Sequence, residues 1–164
     1  MLAAALGYAA RDWPVFPCAG KVPRTLHGCK DASTDPSHVG EWWGRWPAAD
    51  VAVATGDGLL VADVDGQAGA DTLYDLERAY DELPQTICAT TGGGGMHYYF
   101  AAPCGYRSSA GALGPGLDIR AAGGYVIAPP SSHRSGGRYV WDLAPEDTKL
   151  ALAPGWLLTL AWAS

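Results

Sequence analysis

The sequence lacks any hydrophobic run long enough to cross a membrane. No stretch approaches the roughly 20 consecutive apolar residues that a membrane-spanning helix needs. The apolar start, residues 1–10, has no basic leader and runs into an aromatic, charged segment instead of a small-residue cleavage site. These absences argue against a membrane anchor and a secretory signal peptide, so we expect a cytoplasmic protein that begins with an amphipathic helix.

Cysteine is also scarce, and no two cysteines form a CxxC pair. The chain has four cysteines, which are far apart: Cys18, Cys29, Cys88 and Cys104. A zinc site that uses His27 and Cys29 stays open as an alternative. Four reduced thiols are the preferred interpretation, because they fit the cytoplasm.

Basic residues are few, with 11 Lys and Arg against 17 Asp and Glu, a net charge of −6. Phosphate binding depends on Lys and Arg, so this balance argues against strong unaided binding of nucleic acid. The charges are nevertheless segregated. Residues 63–102 carry seven acids against one arginine, whereas residues 103–141 carry four arginines against one aspartate. This segregation predicts a small positive surface on an acidic protein.

What the sequence does contain is glycine and proline, 22 and 12 residues, spread between short apolar runs. In 164 residues this pattern predicts one compact domain with many short strands. Helices are predicted at residues 2–11, 36–46, 68–80 and 154–162, and a loop at residues 14–35. Strands are predicted at residues 51–55, 59–65, 86–90, 96–101, 117–121, 125–128 and 139–141. The expected fold class is α+β, with a mainly antiparallel or mixed sheet and flanking helices.

The strongest local motif is LLVADVD at residues 59–65. Side chains alternate along a strand, so Asp63 and Asp65 share one face while Ala62 and Val64 point to the other. Two adjacent carboxylates repel each other unless a positive group lies between them. Mg²⁺ and Mn²⁺ prefer such oxygen ligands. The motif therefore indicates a metal site, although a strand that ends in solvent is the simpler alternative.

A glycine run, TTGGGGMHYYF at residues 90–100, precedes His97 on a predicted strand. Four glycines allow backbone N–H groups to approach an anion. Neither a Walker loop nor a dinucleotide fingerprint is present, because no GK[ST] follows and the next element is predicted as a strand. The run indicates a phosphate-binding loop or, alternatively, a flexible hairpin.

A third motif, GLDIR at residues 116–120, places Asp118 and Arg120 on one face of a strand, with Leu117 and Ile119 behind. The pair could be a local ion pair. Near a metal-bound triphosphate, Asp118 would bind metal and Arg120 would bind phosphate oxygens.

The chain resembles the primase-polymerase domain of the archaeo-eukaryotic primase superfamily, found at the N-termini of plasmid, phage and prophage replication proteins. The likeness covers nearly all of residues 1–164 and depends on the order of its motifs. These motifs are GYAARDWPVFPC (7–18), GKVP (20–23), HGCKDA (27–32), WW (42–43), ATG (54–56), DVD (63–65), the glycine run with His97, DIR (118–120) and GGYVIAPPS (123–131).

The resemblance implies specific roles for several residues. Asp63, Asp65 and Asp118 would be the catalytic metal ligands, and His97 would contact the phosphates of the incoming nucleotide. Further nucleotide contacts are expected from Arg120 and Ser131, with Lys21, Lys30 and His133 as weaker candidates. Many relatives have serine where this chain has Gly95, and a backbone amide is expected to replace that hydroxyl contact.

The implied activity is template-directed nucleotidyl transfer with two divalent ions, Mg²⁺ or Mn²⁺. The implied substrates are dNTP or NTP with a single-stranded DNA template and primer. A helicase domain or partner is expected, which would make the chain an excised N-terminal domain of a larger replication protein. Two alternatives stay open: a catalytically inactive nucleotide- or DNA-binding module of a replication helicase, and a metal-dependent nuclease.

Overall fold

The computed structural model describes residues 1–162. Four α-helices are present: α1 (Leu2–Ala9), α2 (Pro36–Arg45), α3 (Gly66–Ala79) and α4 (Gly155–Trp162). The strands are β1 (Val15–Ala19), β2 (Val22–Pro23), β3 (Asp50–Ala54), β4 (Leu59–Val64), β5 (Cys88–Thr90), β6 (Met96–Ala101), β7 (Leu117–Arg120), β8 (Tyr125–Ala128), β9 (Val140–Leu143) and β10 (Ala151–Leu152). A short 3₁₀ helix covers Gly28–Asp31.

The strands form two sheets, which confirms the predicted α+β class. The first sheet has the order β2-β1-β3-β8, and the second has the order β7-β4-β6-β5-β9. All pairs along these two paths are antiparallel. The tenth strand, β10, pairs in parallel with β6, which makes the second sheet mixed.

The prediction of a loop over residues 14–35 is wrong at its start. Val15–Ala19 forms β1, which pairs with β3 in the interior of the first sheet. Prolines obscured this strand, because proline cannot donate a ladder hydrogen bond. The structure tolerates Pro17 because its carbonyl faces away from β3 and accepts from the Arg24 N–H at 2.9 Å, so the pairing of β1 with β3 needs no N–H from Pro17.

The two predicted strands at residues 51–55 and 59–65 are separated only by residues 56–58, a spacing that predicts a hairpin or adjacent strands. They are neither, because β3 belongs to the first sheet and β4 to the second. Gly56 and Leu59 exchange backbone hydrogen bonds of 2.8 and 3.0 Å across a tight turn. The strands then diverge, and this turn carries the chain from one sheet to the other.

Helices cover the sheets on separate sides and define two of the hydrophobic cores. One core joins α1 and α2 to both sheets, and Trp43 is 2% exposed within it. The other packs α3 and α4 on the second sheet. Helical periodicity places Tyr80 of the predicted helix 68–80 on its inner face with Leu73 and Leu76, but Tyr80 is 50% exposed and stacks on Trp156 at a centroid distance of 5.6 Å. It caps α3 after the helix has ended, so helical periodicity does not apply to it.

Within residues 1–162, no helix is long and apolar enough to cross a membrane. All four cysteines are free thiols. Across the same residues, the only cluster of potential metal ligands consists of three aspartates, so the zinc alternative with His27 and Cys29 has no support.

Candidate active site

A row of three polar side chains crosses the second sheet. In the strand register, Asp63 of β4 lies opposite Asp118 of β7 on one side and His97 of β6 on the other. Residues directly opposite in antiparallel strands share one face. Their neighbours Ala62, Val64, Leu117 and Ile119 are buried in the core with α3 and α4, as alternation predicts. Strand pairing alone therefore brings three of the predicted residues together.

Asp65 joins this row from the end of β4. It is the N-cap residue of α3, yet its side chain makes no capping hydrogen bond, although aspartate commonly caps helices. Potential ligand atoms of Asp63, Asp65 and Asp118 all lie within 4.8 Å of one another. The start of α3 can approach this closely because Gly69 packs against Gly116, where a Cβ on Gly69 would lie 2.2 Å from the Gly116 carbonyl oxygen.

Asp63 is the electrostatic centre of the row. Its Oδ1 lies 3.2 Å from His97 Nε2, and its Oδ2 accepts hydrogen bonds of 3.2 and 3.1 Å from the Arg120 guanidinium. Burial raises the pKa of Asp63, but the hydrogen bonds and charges of His97 and Arg120 outweigh burial and leave the pKa below its ordinary value. Asp63 is therefore held as a carboxylate in a nearly closed environment.

Arg120 links two of the acids. Its Nη2 donates to Asp118 Oδ2 at 2.8 Å as well as to Asp63, and Asp118 Oδ1 accepts from the Gly111 N–H at 2.7 Å. The arginine side chain is 31% exposed, so it also faces the adjoining cavity. This arrangement places a cation between the carboxylates and open space.

A cavity of 270 Å³ adjoins Asp63 between the two sheets. Its lining includes Lys21, Asp63, His97, Ser108, Arg120, Gly123, Gly124, Tyr125, Val126, Ile127 and Tyr139. Burial, together with the charges of Asp63, Asp65 and Asp50, raises the pKa of Tyr139 to about 12. Its hydroxyl is therefore protonated at neutral pH. The cavity thus combines the cations of Lys21 and Arg120 with hydroxyl groups and with apolar surface from Val126 and Ile127.

The glycine run before His97 forms a tight, internally bonded turn. The Thr91 N–H donates to the Gly95 carbonyl at 2.8 Å, and the Gly95 N–H donates to Thr91 Oγ1 at 2.9 Å. The Gly95 amide is therefore already bonded within the loop, so a backbone amide that replaces the serine hydroxyl would be that of another residue. A Cβ at Gly95 would also lie 2.3 Å from the Val64 carbonyl oxygen. Glycine at this position allows the loop to pack directly on the end of β4.

Ser131 does not line the cavity beside Asp63, and its nucleotide contact stays a prediction. The residue is 0% exposed, and its hydroxyl accepts from the Val51 N–H at 2.8 Å. It joins the end of β8 to β3. Lys30 is exposed on a neighbouring cavity that shares only Gly123 and Gly124 with the first.

His133 is partly buried against the glycine-rich loop. Its ring lies 5.9 Å from that of Tyr139, and its Nδ1 contacts Ser135 Oγ at 2.9 Å. The Ser135 hydroxyl in turn donates to the Gly92 carbonyl at 2.6 Å. His133 therefore supports the loop that precedes His97 and does not line the cavity beside Asp63.

Sequence reasoning missed Asp50, Tyr125 and Tyr139. Asp50 is 9% exposed, and its two oxygens accept from the Gly20 N–H and the Ser132 N–H, both at 2.9 Å. The Tyr125 hydroxyl donates to the Lys21 carbonyl at 2.7 Å. An acid that begins a buried apolar strand was an available signal for Asp50. No sequence signal marked Tyr125 or Tyr139, because tyrosine is common in strands.

Comparison with known proteins gives one informative match. No curated protein matches the chain at a significant level. A family model described as bifunctional DNA primase/polymerase, N-terminal, matches residues 5–156 and therefore includes every residue of the polar row. The family implies nucleotidyl transfer of the DNA primase/polymerase type, with nucleotide and DNA substrates and a divalent metal. The chain belongs to the bifunctional DNA primase/polymerase (Prim-Pol) N-terminal domain family.

Proposed function

We propose that this chain is an active catalytic domain that joins nucleotides on a single-stranded DNA template. The observation that carries the proposal is the convergence of Asp63, Asp65 and Asp118 within 4.8 Å beside a cavity lined by cations. Arg120 pairs with Asp63 and Asp118, whereas Asp65 has no ion-pair partner among residues 1–162, and an inactive binding module has no need for this third, unneutralised carboxylate.

The three carboxylates fit divalent metal ions. They supply oxygen ligands from two strands and a helix start, and the side chain of Asp65 makes no capping bond that would compete. Two Mg²⁺ or Mn²⁺ ions bound there would lower the pKa of the attacking 3′-hydroxyl and stabilise the departing pyrophosphate. Asp63 and Asp118 would hold both ions, and Asp65 would complete the ligand set.

The remaining residues bind and orient the substrate. His97 keeps Asp63 oriented through Nε2 and forms part of the cavity wall, where it can face the phosphates of a dNTP or NTP. Arg120 and Lys21 supply positive charge to the same cavity. Positioning and charge stabilisation, without a covalent intermediate, supply the rate acceleration.

The test is incubation with labelled dNTPs or NTPs, Mn²⁺, and primed or unprimed single-stranded templates. We expect extended or newly primed products that depend on template sequence. Cleavage of the template would identify a nuclease, and the absence of products would identify a binding module; either result contradicts the proposal. Asp65→Asn should lose activity, whereas Asp71→Asn, another exposed acid at the start of α3, should keep it.

We further propose that the domain acts within a larger replication protein or assembly of a plasmid, phage or prophage, beside a helicase. The net charge of −6 limits how many phosphates the domain can neutralise alone. Tethering to a second DNA-binding unit would raise the local template concentration. Titration of single-stranded DNA at several salt concentrations tests this point, since nanomolar binding at physiological salt would make a tether unnecessary.

A further inference from the structure

A second, larger concavity lies outside the catalytic cavity. It has a volume of 670 Å³ and is formed by the segment after β2 and by the exposed side of α2. We call it the α2 groove and define it by Arg24, Leu26, His38, Trp42, Arg45 and Trp46. None of the motifs in the sequence assigned a role to this combination of residues.

Two arginines in the α2 groove are held by one aromatic ring. The guanidinium carbons of Arg24 and Arg45 lie 5.8 and 4.7 Å from the Trp46 ring centroid. Both arginines are exposed, and neither forms an ion pair with any carboxylate of residues 1–162. Cation–π contact restricts the two side chains without neutralising them. The groove therefore presents two oriented guanidinium groups to an anionic ligand.

Apolar surface accompanies these charges. Leu26 is 88% exposed, and Trp42 is partly exposed beside His38, with ring centroids 6.2 Å apart. Proteins bind single-stranded nucleic acid through two components. Guanidinium groups contact the phosphates, and apolar or aromatic surface contacts the bases.

The α2 groove is connected to the catalytic cavity through β2. Lys21 lines the cavity, β2 follows at Val22–Pro23, and Arg24 lines the groove. Three residues of extended chain span roughly 10 Å. The Lys21 end is anchored by the Tyr125 hydroxyl, and the Arg24 N–H donates to the Pro17 carbonyl at 2.9 Å. The cations of the two sites thus lie on one fixed segment.

Two acids also line the α2 groove and limit its charge. Asp31 accepts hydrogen bonds of 2.8 and 2.9 Å from the His27 N–H and Nδ1, so its carboxylate is already engaged. Glu41 is exposed on α2. With two arginines against these acids, we expect about two phosphate contacts and weak binding.

We propose that the α2 groove binds single-stranded DNA and guides the template strand along β2 toward the catalytic cavity. The role of the bound strand as a template rests on the proposed function, but the binding of single-stranded DNA can be measured without catalysis.

The test is fluorescence anisotropy of a labelled 20-nucleotide oligothymidylate without nucleotide or metal, over a salt series. Replacing both Arg24 and Arg45 with Gln should weaken binding at least about tenfold and reduce the salt slope by about 1.4, from two lost contacts at about 0.7 each. Glu41→Gln should tighten binding by about twofold to threefold. The matched control is Arg78→Gln, an arginine over Tyr74 at 5.8 Å on α3, which should change affinity less than twofold.

Three outcomes would overturn the proposal. The first is that the double variant binds DNA as tightly as wild type. The second is that Arg78→Gln loses as much DNA affinity per removed charge as the double variant does. The third is that the double variant changes self-association in sedimentation without a change in DNA binding. The last would mark the groove as an interface between copies of this chain. Binding of Mn²⁺-dNTP should stay normal in the double variant. If wild-type protein binds oligothymidylate through the groove yet never incorporates nucleotide, the proposed function fails while this inference stands.

Discussion

The two sheets contribute to the site in different ways. The second sheet supplies Asp63, His97 and Asp118 from paired strands, so their spacing follows from strand register. The first sheet supplies Lys21 from a turn and Tyr125 from the start of an edge strand. Groups that must be placed precisely relative to one another lie on hydrogen-bonded strands, and groups that contact a larger ligand lie at strand ends.

The largest expected effect concerns the second sheet, whose paired strands hold the acids. Replacing Asp63, Asp65 or Asp118 with Ala should lower nucleotide incorporation by at least about 100-fold while the fold persists, because each removes a charged oxygen ligand. Asp142→Ala, an exposed acid on β9 of the same sheet, is the control and should retain activity. Incorporation rates and circular dichroism provide the measurement. A fully active variant would remove its residue from the site.

The next prediction concerns the loop that precedes His97. Gly95→Ser should destabilise the domain by about 1–3 kcal/mol, because its Cβ would overlap the Val64 carbonyl oxygen at 2.3 Å. We expect a lower Tm and no gain in nucleotide affinity. Gly40→Ser on α2, where an added Cβ meets nothing within 4 Å, should leave Tm nearly unchanged. Tighter nucleotide binding by Gly95→Ser would show that the loop rearranges.

A smaller effect distinguishes the two lysines near the first sheet. Lys21 lines the catalytic cavity and Lys30 lines its neighbour. Lys21→Ala should raise the nucleotide KM about tenfold with little change in kcat, because the variant loses one hydrogen bond to a charged group. Lys30→Ala should leave the nucleotide KM within about twofold of wild type. Equal effects in steady-state kinetics would mean that both cavities hold the nucleotide.

The smallest effect concerns acid stability. The pKa of Asp63 lies below its ordinary value of 3.8, so its contribution to stability is complete above that value and is lost as pH falls through the folded-state pKa. Asp63→Asn should therefore flatten the fall in unfolding free energy below about pH 4. Urea unfolding between pH 2 and 7 measures this. Asp31→Asn, at an exposed acid, should change the curve less.

The sequence predicted the second sheet better than the first. Alternation around LLVADVD and GLDIR correctly placed the acids on one face, because a slip of one residue would move their apolar neighbours out of the core with α3 and α4. Strand β1 was missed because Pro17 within it and Pro14 just before it are residues typical of a loop. Burial of Ser131 depends on its contact with Val51, which is 80 residues away along the chain, and bonding of the Gly95 amide depends on how the loop turns back on Thr91, so only the folded chain reveals them.

The hydrogen bonds of Asp50 have a mechanical consequence. One carboxylate bonds to both the turn that carries Lys21 and the segment that continues from β8, so the Lys21 part of the cavity wall is tied to the strand that supplies Val126 and Ile127. Ser108, which also lines the cavity, belongs to the segment between β6 and β7, whose strand pairing consists of isolated bridges at Arg107 and Ser109. We therefore expect a change in cavity width to come from displacement of this segment against the walls that Asp50 connects.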